Sequence, residues 1–187
     1  MTVDTVRRRF TVDEYVHMAQ VGILTTRDRV ELLDGEIVEM TPIGRPHAAC
    51  VADLMRVLLI GVGPRAVVWP KGPIRLSERS QPEPDVTLLR PRPVPYRDAD
   101  AEPRDVMLLI EVSDTSLSRD REVKLPLYAG AGIPEYWIVD VQDGVIEVHM
   151  SPSGSRYGSV RRFGRGESVS PLAFPDLRLA VDEVFGS

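Results

Sequence analysis

Two apolar runs of strand length, Pro84-Asp85-Val86-Thr87-Leu88-Leu89 and Val106-Met107-Leu108-Leu109-Ile110-Glu111-Val112, constrain this chain more than any other feature. Each carries one carboxylate at an end: Asp85 opens the first, and Glu111 stands near the close of the second. A carboxylate at the rim of a buried strand is costly to desolvate, so it takes a partner or holds a cation. The two acids lie far apart in the chain and therefore belong to separate strands. If those strands are neighbours, their rims make an oxygen-lined site suited to Mg²⁺. Such an ion offsets charge on a phosphate and lowers the pKa of a bound water. The backbone carbonyl of Val112 is a further oxygen that a hard cation accepts. The same residues also fit a simpler arrangement, with Asp85 starting a strand after Pro84 and Glu111 salt-bridged at a rim.

Lys124 is the cation to set beside these acids. It sits on the next expected helix, where an ammonium can hold the attacking water or stabilise the transition state of phosphoryl transfer. The stretch Arg119-Asp120-Arg121-Glu122-Val123-Lys124 is charge-rich, however, and by itself favours a solvated helix lysine. Tyr128 lies four residues on and shares the helix face of Lys124. Glu31 alternates with Val30 and Leu32, and either binds metal through water or points to solvent. His47 either contacts phosphate or belongs to a helix-capping turn. His17 and His149 have no metal-ligand spacing. Ser113, Thr115 and Ser116 lack a His–Asp arrangement, so a hydrolase triad is poorly supported. No Gly-rich phosphate loop and no zinc-type Cys/His pair occurs.

The remaining pattern predicts helices on the faces of a mixed sheet, an α/β (α+β) architecture. Thr11-Val12-Asp13-Glu14 reads as a capping box opening a helix over 12–20. Asp34-Gly35 joins two strand-like pieces within 29–40, the sequence signal of a tight hairpin. A helix is expected over 45–60, with Ala48, Val51, Leu54, Met55 and Leu58 on its apolar face. Short strands are expected near Ala66–Trp69 and Pro73–Leu76, and the proline-rich stretch from Arg90 to Arg104 reads as a surface loop. A helix over 118–130 ends at Gly130 and Gly132. Two strands flank Gln142-Asp143-Gly144, a further strand lies near Ser159–Phe163, and a short helix at Asp182–Phe185 closes the chain. Tyr136 and Trp137 read as exposed aromatics, open to an assembly role.

At 187 residues the simplest organisation is one domain, 1–187, with a core over about 10–150 and strands and a short helix over 151–187. Cys50 is the only cysteine, which excludes an internal disulfide and suits a reducing cytoplasm. Arg7, Arg8 and Arg9 are not followed by an apolar segment, so no secretory signal is expected. No uninterrupted apolar run reaches about 18 residues, and no membrane span is expected. The net charge of −5 counts against a nucleic-acid surface, although an acidic metal site accounts for part of it. Two arginine groups, Arg90, Arg92 and Arg97, and Arg161, Arg162 and Arg165, are candidates for a phosphate-tracking patch, with solvated loops the simpler reading.

Read together, Pro84-Asp85, Ile110-Glu111-Val112-Ser113, Asp120, Lys124 and the block from Tyr128 to Asp140 resemble one family. It is the putative restriction endonuclease family of bacterial proteins, a branch of the PD-(D/E)XK nuclease superfamily. The segment Glu31–Met40, followed by His47, resembles that family's opening block. The resemblance implies a restriction-endonuclease-like core with Mg²⁺, or Mn²⁺, held by Asp85 and Glu111. It implies a DNA endonuclease, with a homodimer compatible with cutting both strands. The superfamily's lysine two residues after the Glu is Ser113 here, and Lys124 is the stand-in, with Glu31 a further acid near the site. The competing expectation is a catalytically inactive binding or assembly module on a nuclease fold, motivated by Ser113 and the acidic charge.

Overall fold

The two acid-bearing runs become adjacent strands. The computed structural model describes residues 7–186. In chain order it comprises α1 (Val12–Gln20), β1 (Val30–Leu33), β2 (Glu36–Glu39), α2 (Arg45–Val62), β3 (Val67–Pro70), β4 (Val86–Leu89) and β5 (Val106–Ser113). There follow α3 (Leu117–Arg119), a π-helical turn (Asp120–Lys124), α4 (Leu125–Gly130), β6 (Glu135–Asp140), β7 (Val145–Ser153) and β8 (Arg156–Phe163). The short β9 (Ser168–Val169), β10 (Leu179–Ala180) and α5 (Asp182–Phe185) complete it.

The main sheet has six strands in the order β3-β4-β5-β6-β7-β8. Every pairing is antiparallel except β5 with β6. A parallel pair requires a crossover, and the α3–α4 segment supplies it. Alternation along the central strands sorts the core into two layers. Ile110, Val112, Trp137 and Val139 pack with Leu54, Leu58 and Val62 of α2 and with Val184 of α5. Leu109, Tyr136 and Ile138 pack on the opposite face with Tyr128 and Ala129 of α4. Each fully buried Leu of this kind contributes about 1.5–3 kcal/mol. The fold is thus a mixed sheet flanked by helices.

Local signals account for the elements around the sheet. Thr11 and Glu14 form the reciprocal capping box at α1. Asp34 and Gly35 take φ of 47° and 78°, so the β1–β2 turn has both central residues left-handed, as a two-residue hairpin requires. The hairpin is tied to the molecule by Gln81 N–H donating to the Leu32 carbonyl (2.8 Å) and Asp34 N–H donating to Ser80 Oγ (2.9 Å).

Several expectations are corrected. Ala48 of α2 is exposed; the buried face is Cys50, Leu54, Val57, Leu58 and Val62, a rotation that packs the larger residues on the sheet. Residues 73–76 form only a single bridge, Ile74 to Ala101, because their N–H groups go to different partners: Ile74 to Pro82, Arg75 to Ala101 and Leu76 to Ser80. Tyr136 and Trp137 are fully buried, since β6 is covered on both faces. The segment Arg45–Arg65 is long and apolar enough to cross a membrane (mean hydropathy 1.4), although the charged residues Asp53 and Arg56 interrupt any strict apolar run. Here it lies along the sheet with one face in the core. Finally, the helix expected over 118–130 is not regular: its middle turn widens to π geometry.

Candidate active site

The site follows from register. Val86 pairs with Ile110 in the antiparallel β4–β5 ladder, so one step further Asp85 stands opposite Glu111. Cross-strand neighbours of this kind have Cβ atoms about 4.5–5.5 Å apart. Both side chains are buried, Asp85 at 2% and Glu111 at 4% exposure, and both line one cleft. That cleft is narrow, about 50 Å³, and is also lined by Glu31, His47, Lys71, Asp120 and Lys124.

Asp85 is held from three sides. Val112 N–H donates to its Oδ2 (2.7 Å), His47 Nε2 lies 3.1 Å from the same oxygen, and the Lys71 ammonium pairs with Oδ1. Burial alone pushes the Asp85 carboxyl up, but the His47 hydrogen bond and the Lys71 charge outweigh it and hold the group below its ordinary value. His47 is contributed by the first turn of α2.

Glu111 has a separate set of partners. Lys124 Nζ donates to Glu111 Oε1 (2.9 Å), and the Tyr128 hydroxyl donates to the same oxygen (2.7 Å). Lys124 also reaches Glu31 Oε1 at 3.1 Å, while Glu31 Oε2 accepts from Glu83 N–H (3.2 Å). Burial would lower the Lys124 pKa, yet the Glu111 and Glu31 carboxylates overcome it and keep the ammonium charged. Burial pushes the Glu111 carboxyl above its ordinary value, and the Lys124 ammonium opposes that shift. Glu31 therefore does not point to solvent, and Lys124 is not a solvated helix lysine: both are buried in one network.

The position where the superfamily lysine is expected carries out a different task. Ser113 Oγ donates to Asp120 Oδ2 (2.6 Å), and Ser116 Oγ donates to the same atom (2.7 Å). Asp120 opens the π-helical turn and Lys124 ends it. The serine pair thus anchors the turn that delivers the lysine from the helix instead of the strand. π-Helical turns are rare and concentrate at functional sites.

Among the described residues no three His, Cys, Asp or Glu side chains form a ready-made metal cage. Two carboxylates and a main-chain oxygen are nevertheless what Mg²⁺ accepts, because it keeps several waters and uses few protein ligands. Val112 N–H points at Asp85, and in a strand the carbonyl of the same residue leaves on the same edge. The donor set Asp85, Glu111 and Val112 carbonyl therefore fits a hard divalent ion.

The arginine groups singled out from sequence do not line this cleft. Arg92 is bound to Asp105 (3.0 Å) and stacks on Tyr96, while Arg165 bonds Asp182. The cations at the cleft are Arg29, Lys71, Arg119 and Lys124. Of these, the sequence points only to Lys124; Arg29 and Arg119 carry no signal of their own, and that of Lys71 is no more than the Pro70-Lys71-Gly72-Pro73 turn.

A mixed sheet with an acid pair and a buried lysine at one edge defines a restriction-endonuclease-like protein. The chain belongs to the Uma2 family, described as putative restriction endonuclease, whose model matches residues 12–182, and it is consistent with the PD-(D/E)XK superfamily. A solved structure described as a putative nuclease belonging to DUF820 from Anabaena variabilis is similar in fold: TM-score 0.73 and 15% identity, covering 94% of this chain and 97% of that one. No curated protein matches. Family membership supports a nuclease-like function.

Proposed function

We propose that this protein is a Mg²⁺-dependent DNA endonuclease, with Mn²⁺ as a substitute ion. The observation that carries the reading is the β4–β5 register, which sets Asp85 opposite Glu111 at the cleft where Lys124 already contacts Glu111. Asp85, Glu111 and the Val112 carbonyl would hold the ion. When bound there, it supplies Lewis-acid chemistry, neutralising charge on the phosphate and acidifying a water.

The chain's own groups do the positioning. His47 and the Val112 amide fix the rotamer of Asp85, and Tyr128 fixes Glu111. Lys124, held cationic between two acids, presents a donor to a water or phosphate oxygen in the cleft without changing its charge. Arg29 and Arg119 line the cleft and suit phosphates flanking the scissile one. The protein acts in this reading as a cytoplasmic homodimer, since two copies of the cleft address both strands of a duplex.

The test is calorimetric titration of Mg²⁺ or Mn²⁺ into wild type and Asp85→Ala, with nicking of supercoiled DNA followed in parallel. Wild type gives binding heat and metal-dependent nicking, and both vanish in Asp85→Ala. Equal heats in the two proteins remove Asp85 from the site. A plasmid left intact with Mn²⁺ present returns the molecule to the inert-module reading.

A further inference from the structure

The two lysines at this cleft are built differently. Lys124 is pinned between Glu111 and Glu31, and its side chain is 7% exposed. Lys71 has one charged partner among the described residues, Asp85, and its side chain is 37% exposed. It follows β3 in a left-handed conformation, φ 50°, which a lysine rarely adopts. Two contacts hold it there. Its N–H donates to the Asp85 carbonyl (3.2 Å), so backbone and side chain grip the same residue. The Trp69 indole lies over Gly72, where an added Cβ would meet Trp69 Nε1 at 1.5 Å. Strained backbone of this kind persists where the surroundings over-determine it, often at functional sites. Lys71 also stands on a boundary. It lines the acidic cleft and, with Arg29 and Glu83, the adjoining groove of about 820 Å³ between α1 and the β1–β2 hairpin.

Lys124 and Tyr128 both bond Oε1 of Glu111. On Asp85, by contrast, Oδ2 already takes the Val112 N–H and His47, so Oδ1, the oxygen that Lys71 holds, is the one left for a divalent ion. Lys71 and a metal on Asp85 are therefore alternatives. We propose that Lys71 is a displaceable counter-ion: it holds Asp85 Oδ1 until a divalent ion takes that oxygen, and its freed ammonium then binds a phosphate of the nucleic-acid strand at the mouth of the cleft, beside Arg29. This rests on the nuclease reading above. No bond is made or broken by Lys71; one ion pair is exchanged for another. The side chain's partial exposure and its place at the junction of cleft and groove give it somewhere to go, which Lys124 lacks.

The test uses Mn²⁺ calorimetry without nucleic acid on wild type, Lys71→Gln, Lys71→Gly and Lys71→Arg, together with DNA cleavage at saturating Mn²⁺. Glycine suits the left-handed backbone and so guards against a folding defect in Lys71→Gln. Both uncharged variants bind Mn²⁺ about tenfold more tightly than wild type, since no competing charge remains, and raise the KM for DNA about tenfold. Lys71→Arg restores both values toward wild type. Mn²⁺ affinity unchanged in the uncharged variants overturns the proposal, and so does an unchanged KM. If Mn²⁺ tightens as stated but wild type cuts no DNA, the displacement stands and the nuclease reading falls. If DNA is cut and Mn²⁺ affinity does not move, the nuclease reading stands and this proposal alone falls.

Discussion

At the scale of single residues, Lys124 is a group whose removal is costly. It is buried between two acids, and deleting one partner of a buried ion network leaves uncompensated charge worth about 3–5 kcal/mol. Lys124→Met is therefore expected to destabilise the fold by about 3 kcal/mol in urea unfolding, while Glu31→Gln and Lys124→Met combined cost less than their sum, because both act on one network. Much of this centre was legible from the chain. Strand-end carboxylates point to Asp85 and Glu111, and the helix position together with the family-like block points to Lys124; the structure brings all three to one cleft. Lys71 is not legible there, because its role depends on a left-handed turn and on the β3–β4 pairing, neither of which leaves a period in the sequence. Burial of Tyr136 and Trp137 was likewise hidden: coverage of β6 from both sides is a property of its neighbours, not of the strand.

Among elements, the β1–β2 hairpin matters because it carries Glu31 to Lys124. Its turn depends on Gly35, at φ 78°, where an added Cβ would stand 2.6 Å from Arg9 Cβ. Gly35→Ala is expected to destabilise by about 2 kcal/mol, combining left-handed strain with the clash. Amide exchange should rise in residues 30–39 first, and exchange confined to other segments would contradict this. The hairpin was readable because Asp34-Gly35 is a local signal. The π-helical turn was not: an α-helical period predicts 118–130 as regular, and the widening reflects the grip of Ser113 and Ser116 on Asp120, a tertiary contact.

For the molecule as a whole, acid sensitivity follows from His149. Burial against Tyr136 and Tyr157 lowers its pKa, and the nearby Glu147 only partly opposes. A histidine depressed in the folded state is stabilising when neutral. Its contribution is complete above the unfolded value of about 6.5 and is lost as pH falls below it. Glu147 adds loss of the same sign at lower pH: burial would raise it, but bonds from Arg121 hold it below the usual carboxylate range. His149→Phe keeps the ring stack and removes the titration. Its unfolding free energy is expected to fall less steeply than that of wild type between about pH 6.5 and 5, measured by urea denaturation across that range. Parallel curves would assign the acid loss elsewhere.

Asp85 and Glu111 each carry their own ammonium, one from a turn and one from a helix. Bringing two negative groups to one rim is therefore offset within the chain itself. On the proposed reading, loading exchanges the turn's ammonium for a cation of the medium while the helix's ammonium stays in place. How often the cleft is armed would then follow the supply of divalent ions around it.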